Sequence, residues 1–259
     1  MVFEEIDKLK NEIDCHRPLS PEIMEIVDQK YKIEWTYNSN AIEGNTLTLQ
    51  ETAFFLQHGL TSKGKTLKEY LEVQNHSDAI DFIKDIVKDN REITEGLIKE
   101  IHALLLKGID FVMVGPSDNK VKKKINPGRY KTEPNHVITM NGEIHKYCDP
   151  VKVPGEMKNL VQFINTSEKH PIEIAAIAHH QFVAIHPFDD GNGRVARILM
   201  NIILMKHGFL PVVIKNENRE DYYRALMEAD RGDLSKFISL IAIEEKNSLE
   251  LMLNIIKQN

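Results

Sequence analysis

The sequence predicts an all-α protein that carries one small β-hairpin. Apolar residues recur at helical spacing through most of the 259 residues, and capping residues divide this pattern into helices of ordinary length. Strand patterns are few. The clearest one surrounds Asn141-Gly142, a dipeptide that favours the type I′ turn of a two-stranded hairpin. Helices therefore account for nearly all of the predicted fold.

The first strong helix begins at Ser20-Pro21, because proline suits the first helical position. Its apolar stripe ends before Gly44-Asn45, a typical C-terminal signal. Thr48 and Thr66 are each followed three residues later by a glutamate, and these capping boxes predict the starts of the next two helices. Later helices are predicted around Ile98–Leu105 and Met157, over Ile172–Val183, Val195–Lys206 and Asp221–Ala229, and through the C-terminal segment from Ser235.

The stretch from Val114 to Pro154 is irregular apart from the hairpin. The two strands are predicted over 137–139 and 144–147, on either side of Asn141-Gly142. Before them, the basic run at 120–124 is interpreted as a solvated loop, because most such runs are.

Composition argues against several classes of protein. The net charge of −6 provides no general attraction to nucleic acid or to anionic lipid. The two cysteines, Cys15 and Cys148, suggest neither a disulfide framework nor a zinc knuckle. The N-terminus lacks the apolar core of a signal peptide, and no later stretch is apolar for long enough to span a bilayer. We expect a cytoplasmic protein that binds neither nucleic acid nor membranes.

The segment from His186 to Arg197 reads HPFDDGNGRVAR and lies between two helical patterns. Its glycines allow a tight turn, and the helix that follows begins with unpaired N–H groups, so the segment predicts an anion site. Arg194 and Arg197 are three residues apart at the helix start. They therefore lie on one face, where two guanidinium groups can bind neighbouring phosphates.

Two further side chains of this segment add acid–base and metal chemistry. His186 is a candidate general base, because a neutral imidazole accepts a proton near pH 7. Asp190 is a hard oxygen ligand that suits Mg²⁺ bound to polyphosphate. Any one of these residues alone fits a surface turn with solvated charges, but the whole set within a dozen residues favours a functional site. A Walker-type GxxxxGK[ST] sequence is absent, so the phosphate site is of a different kind.

The segment resembles the Fic family motif HxFx[D/E]GNGRxxR at every fixed position, and the similarity extends over roughly 93–243. The resemblance implies a mainly helical Fic fold and a protein adenylyltransferase, which moves AMP from ATP to a Ser, Thr or Tyr hydroxyl of a target protein. It implies that His186 deprotonates this hydroxyl and that Asp190 holds Mg²⁺. The residues implied to bind ATP are Asp190, Gly191, Asn192, Gly193, Arg194, Arg197, Tyr222, Tyr223 and Asp230.

The resemblance also assigns roles outside the motif. Tyr222 and Tyr223 are similar to an aromatic pair beside the adenine. Asp230 stands where several relatives have asparagine, so the nucleotide preference stays open, because an ionised carboxylate accepts hydrogen bonds but cannot donate them. Family precedent allows a homodimer. The hairpin resembles a flap that pairs with the target as an added strand, and the residues implied are Val137, Ile138 and Thr139.

A second motif lies at the end of the first strong helix, where Ser39 and Glu43 are four residues apart on one face. The helix dipole disfavours a carboxylate there by about 0.3–1 kcal/mol unless a cation compensates. On these residues alone, a solvated glutamate is the simpler interpretation. However, residues 39–44 resemble the inhibitory motif [S/T]xxxE[G/N] of many Fic proteins. This resemblance implies an ion pair between Glu43 and Arg197 that keeps Arg197 away from the γ-phosphate of ATP.

These assignments divide the chain into an N-terminal helical region with the inhibitory motif at 1–92, a catalytic domain at 93–245 and a C-terminal helical extension at 246–259. Two other functions stay open. One is a Fic-type transferase of another phosphate-containing group, such as UMP or phosphocholine. The other is a regulatory binding protein with a vestigial site. In some relatives the inhibitory glutamate helps to remove AMP from the target, so a reverse reaction is open as well.

Overall fold

The computed structural model describes residues 2–115, 120–138 and 144–258. Within these ranges, helices build the core and the strands are short, as predicted. None of the described helices combines the length and apolar character needed to cross a membrane. The elements in chain order are α1 (Val2–Asp14), α2 (Pro21–Ile42), α3 (Leu49–His58), α4 (Leu67–Lys88), α5 (Glu95–Leu105), β1 (Phe111–Val114), β2 (Val121–Lys124), β3 (His136–Ile138), β4 (Ile144–Lys146), α6 (Val153–Thr166), α7 (Pro171–Ile185), α8 (Asn192–Lys206), a 3₁₀ turn (Asn216–Asn218), α9 (Arg219–Asp230) and α10 (Ser235–Gln258).

The helices begin at the caps that the sequence predicts. Ser20 is the N-cap of α2, and its side chain accepts a hydrogen bond from the backbone of the first turn. Thr48 and Thr66 each complete a capping box, with Glu51 and Glu69 respectively. Each box satisfies N–H groups that a helix start would otherwise leave unpaired. Local sequence therefore fixes the starts of α2, α3 and α4.

Helices α7 and α8 form the centre of the core. Every residue of α8 from Asn192 to Leu204 except Gly193 is buried, and α7 packs along it. Helices α4 and α5 pack against α8, while α10 packs against α7, α9 and α1. Trp35, predicted to lie in the core, is 2% exposed and comes from α2. The loop between α7 and α8 is therefore held between two buried helices.

Two antiparallel hairpins lie outside the helical core. In the predicted one, β3 pairs with β4 and His136 lies opposite Lys146, while the turn at Asn141-Gly142 falls outside the described residues. In the other, β1 pairs with β2. This second hairpin corrects the interpretation of the basic run as a loop. Its strand VKKK shows no alternation of apolar and polar residues, so the usual strand pattern is absent from the sequence.

Candidate active site

The loop between α7 and α8 begins with an unusual backbone conformation at His186. This residue caps the C-terminus of α7 with φ 50° and ψ 60°, in the left-handed region that glycine or asparagine usually occupies. For a residue with a Cβ the conformation costs on the order of 1 kcal/mol, so surrounding contacts must maintain it. Gly191, with φ 74°, then turns the chain into α8. The imidazole and the first N–H groups of α8 thus lie at the two ends of one short loop.

Asn192 and Phe188 hold the interior of this loop. Asn192 Nδ2 donates to the Phe188 carbonyl at 2.9 Å, and its Oδ1 accepts from the Phe188 N–H at 3.0 Å. The Phe188 ring is fully buried and stacks on His102 with centroids 3.7 Å apart. Asn192 was predicted to bind ATP, but its side chain is used within the loop, so only its backbone N–H is available to a phosphate.

His102 connects the loop to α5, and no motif in the sequence points to it. Its Nδ1 accepts from the Gly128 N–H at 2.8 Å. The hydrogen therefore resides on Nε2, which donates to the Asp190 carbonyl at 3.0 Å. Burial lowers the pKa of His102 to about 4, so the ring keeps this neutral form at physiological pH. His102 is a fixed link between the 126–129 turn and the motif.

The His186 side chain is neutral, and an aromatic ring covers one face of its imidazole. The Tyr147 ring stacks on the imidazole with centroids 3.7 Å apart and an interplanar angle of 16°. Burial, followed by the charge of Lys131, lowers the pKa of His186 to about 3. A neutral imidazole is the form that can accept a proton. Neither Tyr147 nor Lys131 was predicted, since they are about 40 and 55 positions away in the chain.

Arg194 and Asp190 lie close together at the start of α8. Arg194 is 3% exposed, and its Nη1 lies 3.3 Å from Glu72 Oε1 on α4. Its Nη2 lies 3.8 Å from Asp190 Oδ2. The Asp190 side chain remains 31% exposed and can therefore meet a ligand. Next to it, Asp189 forms an ion pair of 2.9 Å with Lys123 of the basic run, which anchors the β1–β2 hairpin to the motif.

Arg197 is bound by the end of α2. Its Nη2 donates to Glu43 Oε1 and to the Ser39 carbonyl, both at 2.8 Å, and its Nε donates to Ser39 Oγ at 3.0 Å. The ion pair expected from the inhibitory motif is thus present. Glu43 also covers the first turn of α8, because a Cβ placed on Gly193 would overlap Glu43 Oε1.

The residues expected beside the adenine occupy two environments. Tyr222 is 1% exposed, with its hydroxyl 3.2 Å from His179 Nε2, so its ring belongs to the core. Tyr223 is 36% exposed and can offer a ring to a ligand. Asp230 Oδ1 lies 2.9 Å from His180 Nε2, a partner that sequence reasoning did not assign to it.

The flap residues are described only in part. Val137 and Ile138 lie on β3, whereas Thr139 lies outside the described residues. In the part of the chain that the structure describes, β3 has a strand neighbour on one side only. Its other edge therefore has backbone groups that an added strand can pair with.

A magnesium site would depend on ligands from outside the protein. Among the described ranges, no cluster of three or more His, Cys, Asp or Glu side chains can hold a metal ion. Asp190 provides one hard carboxylate next to the anion site. This donor set fits Mg²⁺, which proteins often bind through one or two carboxylates together with substrate phosphates and water.

Comparison with known proteins identifies relatives of this chain. Residues 92–204 match the model of the Fic/DOC family. A crystal structure of a Fic domain containing signaling protein from Bacteroides thetaiotaomicron is 32% identical with a TM-score of 0.88, and the match covers 98% of this chain and 97% of that one. Fic-1 (residues 134–508) from Caenorhabditis elegans is 29% identical with a TM-score of 0.82, covering 99% and 72% of the two chains.

A curated protein is also similar to this chain in sequence. The protein adenylyltransferase fic-1 of Caenorhabditis briggsae is 31% identical over 99% of this chain. The chain spans about half the length of the curated relatives it matches, 48% in this case. The end-to-end match to the Bacteroides structure, together with the family model over 92–204, establishes that the chain belongs to the Fic/DOC family.

Proposed function

We propose that this chain is a protein adenylyltransferase that transfers AMP from ATP to a Ser, Thr or Tyr hydroxyl of a target protein, with Glu43 as a built-in restraint. One observation carries the proposal: a single short loop places the neutral imidazole of His186 beside the N-terminus of α8 and its two arginines. Relatives that are 31% and 35% identical, over 99% and 80% of this chain, bear the name protein adenylyltransferase, which supports the same reaction.

The arrangement suits in-line transfer at the α-phosphorus of ATP. The N–H groups at the start of α8 and Arg194 bind the phosphates. The target hydroxyl forms a bond to the α-phosphorus as its proton passes to His186, and the bond from the α-phosphorus to the bridging oxygen breaks. Pyrophosphate leaves, and the arginines and the helix dipole stabilise its charge. Asp190, with phosphate oxygens, would hold Mg²⁺, which offsets phosphate charge when bound.

The low pKa of His186 is compatible with this role. At pH 7 the ring is neutral and ready to accept a proton. When ATP binds, the negative charge of the phosphates lies close to the imidazole and raises its pKa, because an opposite charge favours the protonated form. The substrate thus strengthens the base that acts on it.

The restraint follows from the position of Glu43. Its carboxylate is bonded to Arg197 at 2.8 Å and covers Gly193 at the N-terminus of α8. A γ-phosphate that approaches Arg197 meets this carboxylate and is repelled by its charge. ATP therefore binds with its phosphates displaced from the reactive position until Glu43 moves away.

The target and the base of the nucleotide would bind on either side of this centre. The open edge of β3, with Val137 and Ile138, pairs with the target as an added strand, and Thr139, outside the described residues, stays a predicted target-binding residue. Tyr223 and Asp230 lie beside the base. The region 1–92 carries the restraint and 93–245 the chemistry, while 246–259 continues α10 without interruption up to Gln258. A homodimer stays a prediction.

The test compares wild-type protein with Glu43→Gly in the presence of host lysate and ATP labelled at the α- or γ-phosphate. We expect strong labelling of Glu43→Gly and of lysate proteins from α-labelled ATP only, and mass spectrometry should find AMP on a hydroxyl. The double variant Glu43→Gly/His186→Ala should take up no label. Transfer of γ-label, or labelling that survives loss of His186, would contradict the proposal.

The same assay separates the other open functions. Preferential labelling from UTP or from a phosphocholine donor would assign the chain to another Fic-type transfer. No labelling from any donor, with normal ATP binding, would favour a regulatory binding protein.

A further inference from the structure

Lys131 is a buried cation beside His186. The residue is 3% exposed, and among the described residues the carboxylates that attract it, Asp189 and Asp149, act from beyond ion-pair distance. Lysine is almost never fully buried without an ion-pair partner, because burial of an unpaired charge is costly. Burial indeed lowers the pKa of Lys131 below its ordinary value. Because this burial is unfavourable, we expect the contacts of Lys131 to serve a function.

Lys131 bonds to both neighbours of His186 in the chain. Its backbone N–H donates to the Pro187 carbonyl at 2.8 Å. Its Nζ donates to the Ile185 carbonyl at 3.5 Å. The residue between these two carbonyls is His186, in the left-handed conformation at φ 50°. Lys131 thus fixes the backbone on each side of the strained position.

Tyr147 contacts the side chain of His186. Its ring is nearly parallel to the imidazole at 3.7 Å and covers one face of it. The Lys131 ammonium lies 5.8 Å from the centre of the Tyr147 ring, at the outer range of a cation–π contact. The Tyr147 N–H donates to the Asn135 carbonyl at 3.3 Å, which holds the backbone that carries the ring.

We propose that Lys131 and Tyr147 are positioning residues for His186, with Lys131 holding its backbone conformation and Tyr147 holding its ring. The inference rests on the proposed function, in which His186 is the base. A base must meet the target hydroxyl within hydrogen-bond reach, and a displacement of about 1 Å can lower a rate roughly 100-fold. Neither residue needs to touch ATP for this role.

The experiment uses the unrestrained Glu43→Gly protein as the parent. Lys131→Met keeps the apolar stem and removes the ammonium, while Lys131→Arg restores a cation. Tyr147→Leu removes the ring, while Tyr147→Phe keeps it and removes only the hydroxyl. For each variant we would measure the maximum rate of auto-modification, the ATP concentration at half-maximal rate, ATP binding by calorimetry and the midpoint of thermal unfolding.

We expect Lys131→Met and Tyr147→Leu to lower the maximum rate by about 10- to 100-fold, with ATP binding changed by less than about twofold. Lys131→Arg and Tyr147→Phe should keep most of the rate. A full rate in Lys131→Met, or a loss that Lys131→Arg fails to restore in protein that is folded and binds ATP, would overturn the proposal.

If the Glu43→Gly parent is inactive, the proposed function is contradicted. The positioning of His186 is then tested by a second measurement that does not need activity. Nuclear magnetic resonance of the His186 imidazole and backbone amide, assigned with His186→Ala, reports position without catalysis. We expect their resonances to shift in Lys131→Met and to stay near the parent values in Lys131→Arg. Unchanged resonances in Lys131→Met would overturn the proposal whatever the activity.

Discussion

The Arg197 Nη2 atom lies 2.8 Å from Glu43 Oε1, and this ion pair joins two residues that are 154 positions apart in the chain. Glu43 caps the C-terminus of α2, where the helix dipole disfavours a carboxylate. Arg197 provides the compensating cation from the start of α8, where the dipole disfavours a cation in turn. Each charge thus offsets the unfavourable position of the other, and a phosphate would have to replace this arrangement.

Ser39→Ala should release part of the restraint. The serine hydroxyl accepts from Arg197 Nε at 3.0 Å, while the Glu43 ion pair and the Ser39 carbonyl stay in place. One hydrogen bond contributes about 0.5–1.5 kcal/mol, so the rate of labelling from α-labelled ATP should rise roughly 2- to 12-fold. Ser248→Ala, whose hydroxyl bonds to Pro211 instead, is the control. Equal rates in Ser39→Ala and wild type would remove Ser39 from the restraint.

Gly193→Ala should destabilise the wild type but not the Glu43→Gly protein. A Cβ at position 193 overlaps the Glu43 carboxylate, and overpacking of this kind costs about 1–3 kcal/mol. Without Glu43, the nearest obstacle is Arg197 Nη1 at 3.1 Å, which a flexible side chain can relieve. Denaturant unfolding of the two single variants and the double variant measures this coupling.

Gly155→Ala is the matched control for that experiment, because it lies in the first turn of α6 with no atom within 4 Å of an added Cβ. It should be neutral or slightly stabilising. Additive effects of the substitutions at 43 and 193 would show that the two residues do not meet.

Acid should destabilise the fold through its buried histidines. Burial lowers the pKa of His76 and His179 well below 6.5, that of His102 to about 4 and that of His186 to about 3. Below pH 6.5 the unfolded chain binds protons at these positions and the folded chain does not. Each histidine therefore lowers the free energy of unfolding by about 1.36 kcal/mol for every pH unit between 6.5 and its folded pKa.

Denaturant unfolding at pH 7 and at pH 5.5 checks this expectation. Between pH 7 and pH 5.5, the free energy of unfolding should fall less in His186→Ala than in the wild type, by the contribution of one buried histidine. His58→Gln, on an exposed position of α3, should leave the loss unchanged. Equal stability of the wild type at both pH values would contradict the prediction.

Glu245→Gln should stabilise the protein at alkaline pH. Glu245 is fully buried on α10, and burial raises its pKa to about 8 although Oε1 accepts from the Leu210 N–H at 3.0 Å. From pH 4.5 to 8 the unfolded carboxyl ionises and the folded one stays protonated. Stability is therefore lost as pH rises, by about 1.36 kcal/mol per unit.

Glutamine keeps the acceptor for the Leu210 N–H and cannot ionise. The free energy of unfolding of Glu245→Gln should therefore fall less between pH 6.5 and pH 8 than that of the wild type. Parallel curves for the two proteins would show that Glu245 is ionised in the fold. Glu244→Gln, one residue earlier and not buried, provides the control.

Local sequence signals account for much of the fold and for the centre of the site. The caps at Ser20, Thr48 and Thr66 depend on neighbours within three residues, so they can be read directly from the sequence. The HPFDDGNGRVAR segment is equally local, because its glycines, arginines and histidine lie within a dozen positions. The same holds for the spacing of Ser39 and Glu43 on one helix.

Residues that act across long sequence separations escaped prediction. Lys131, Tyr147 and His102 reach the motif only because α5, the chain around the 126–129 turn and the residue that follows β4 fold against it. A lone lysine, tyrosine or histidine gives no local pattern. The burial of Tyr222 on the inner side of α9 was not predicted either. Which side of a helix becomes buried depends on partners that follow later in the chain, here α10.

The Ser39 carbonyl has a role beyond the restraint. It is one of the last four carbonyls of α2, which a helix cannot satisfy internally, and Arg197 is its donor. A nucleotide that attracts Arg197 therefore takes a capping donor from this helix. By thermodynamic reciprocity, if the nucleotide favours unwinding of the last turn of α2, a partner that unwinds this turn tightens nucleotide binding by the factor by which the nucleotide tightens binding of that partner. Under the proposed function, the winding of one helical turn and the position of Arg197 are therefore linked, although this turn lies away from the reacting atoms.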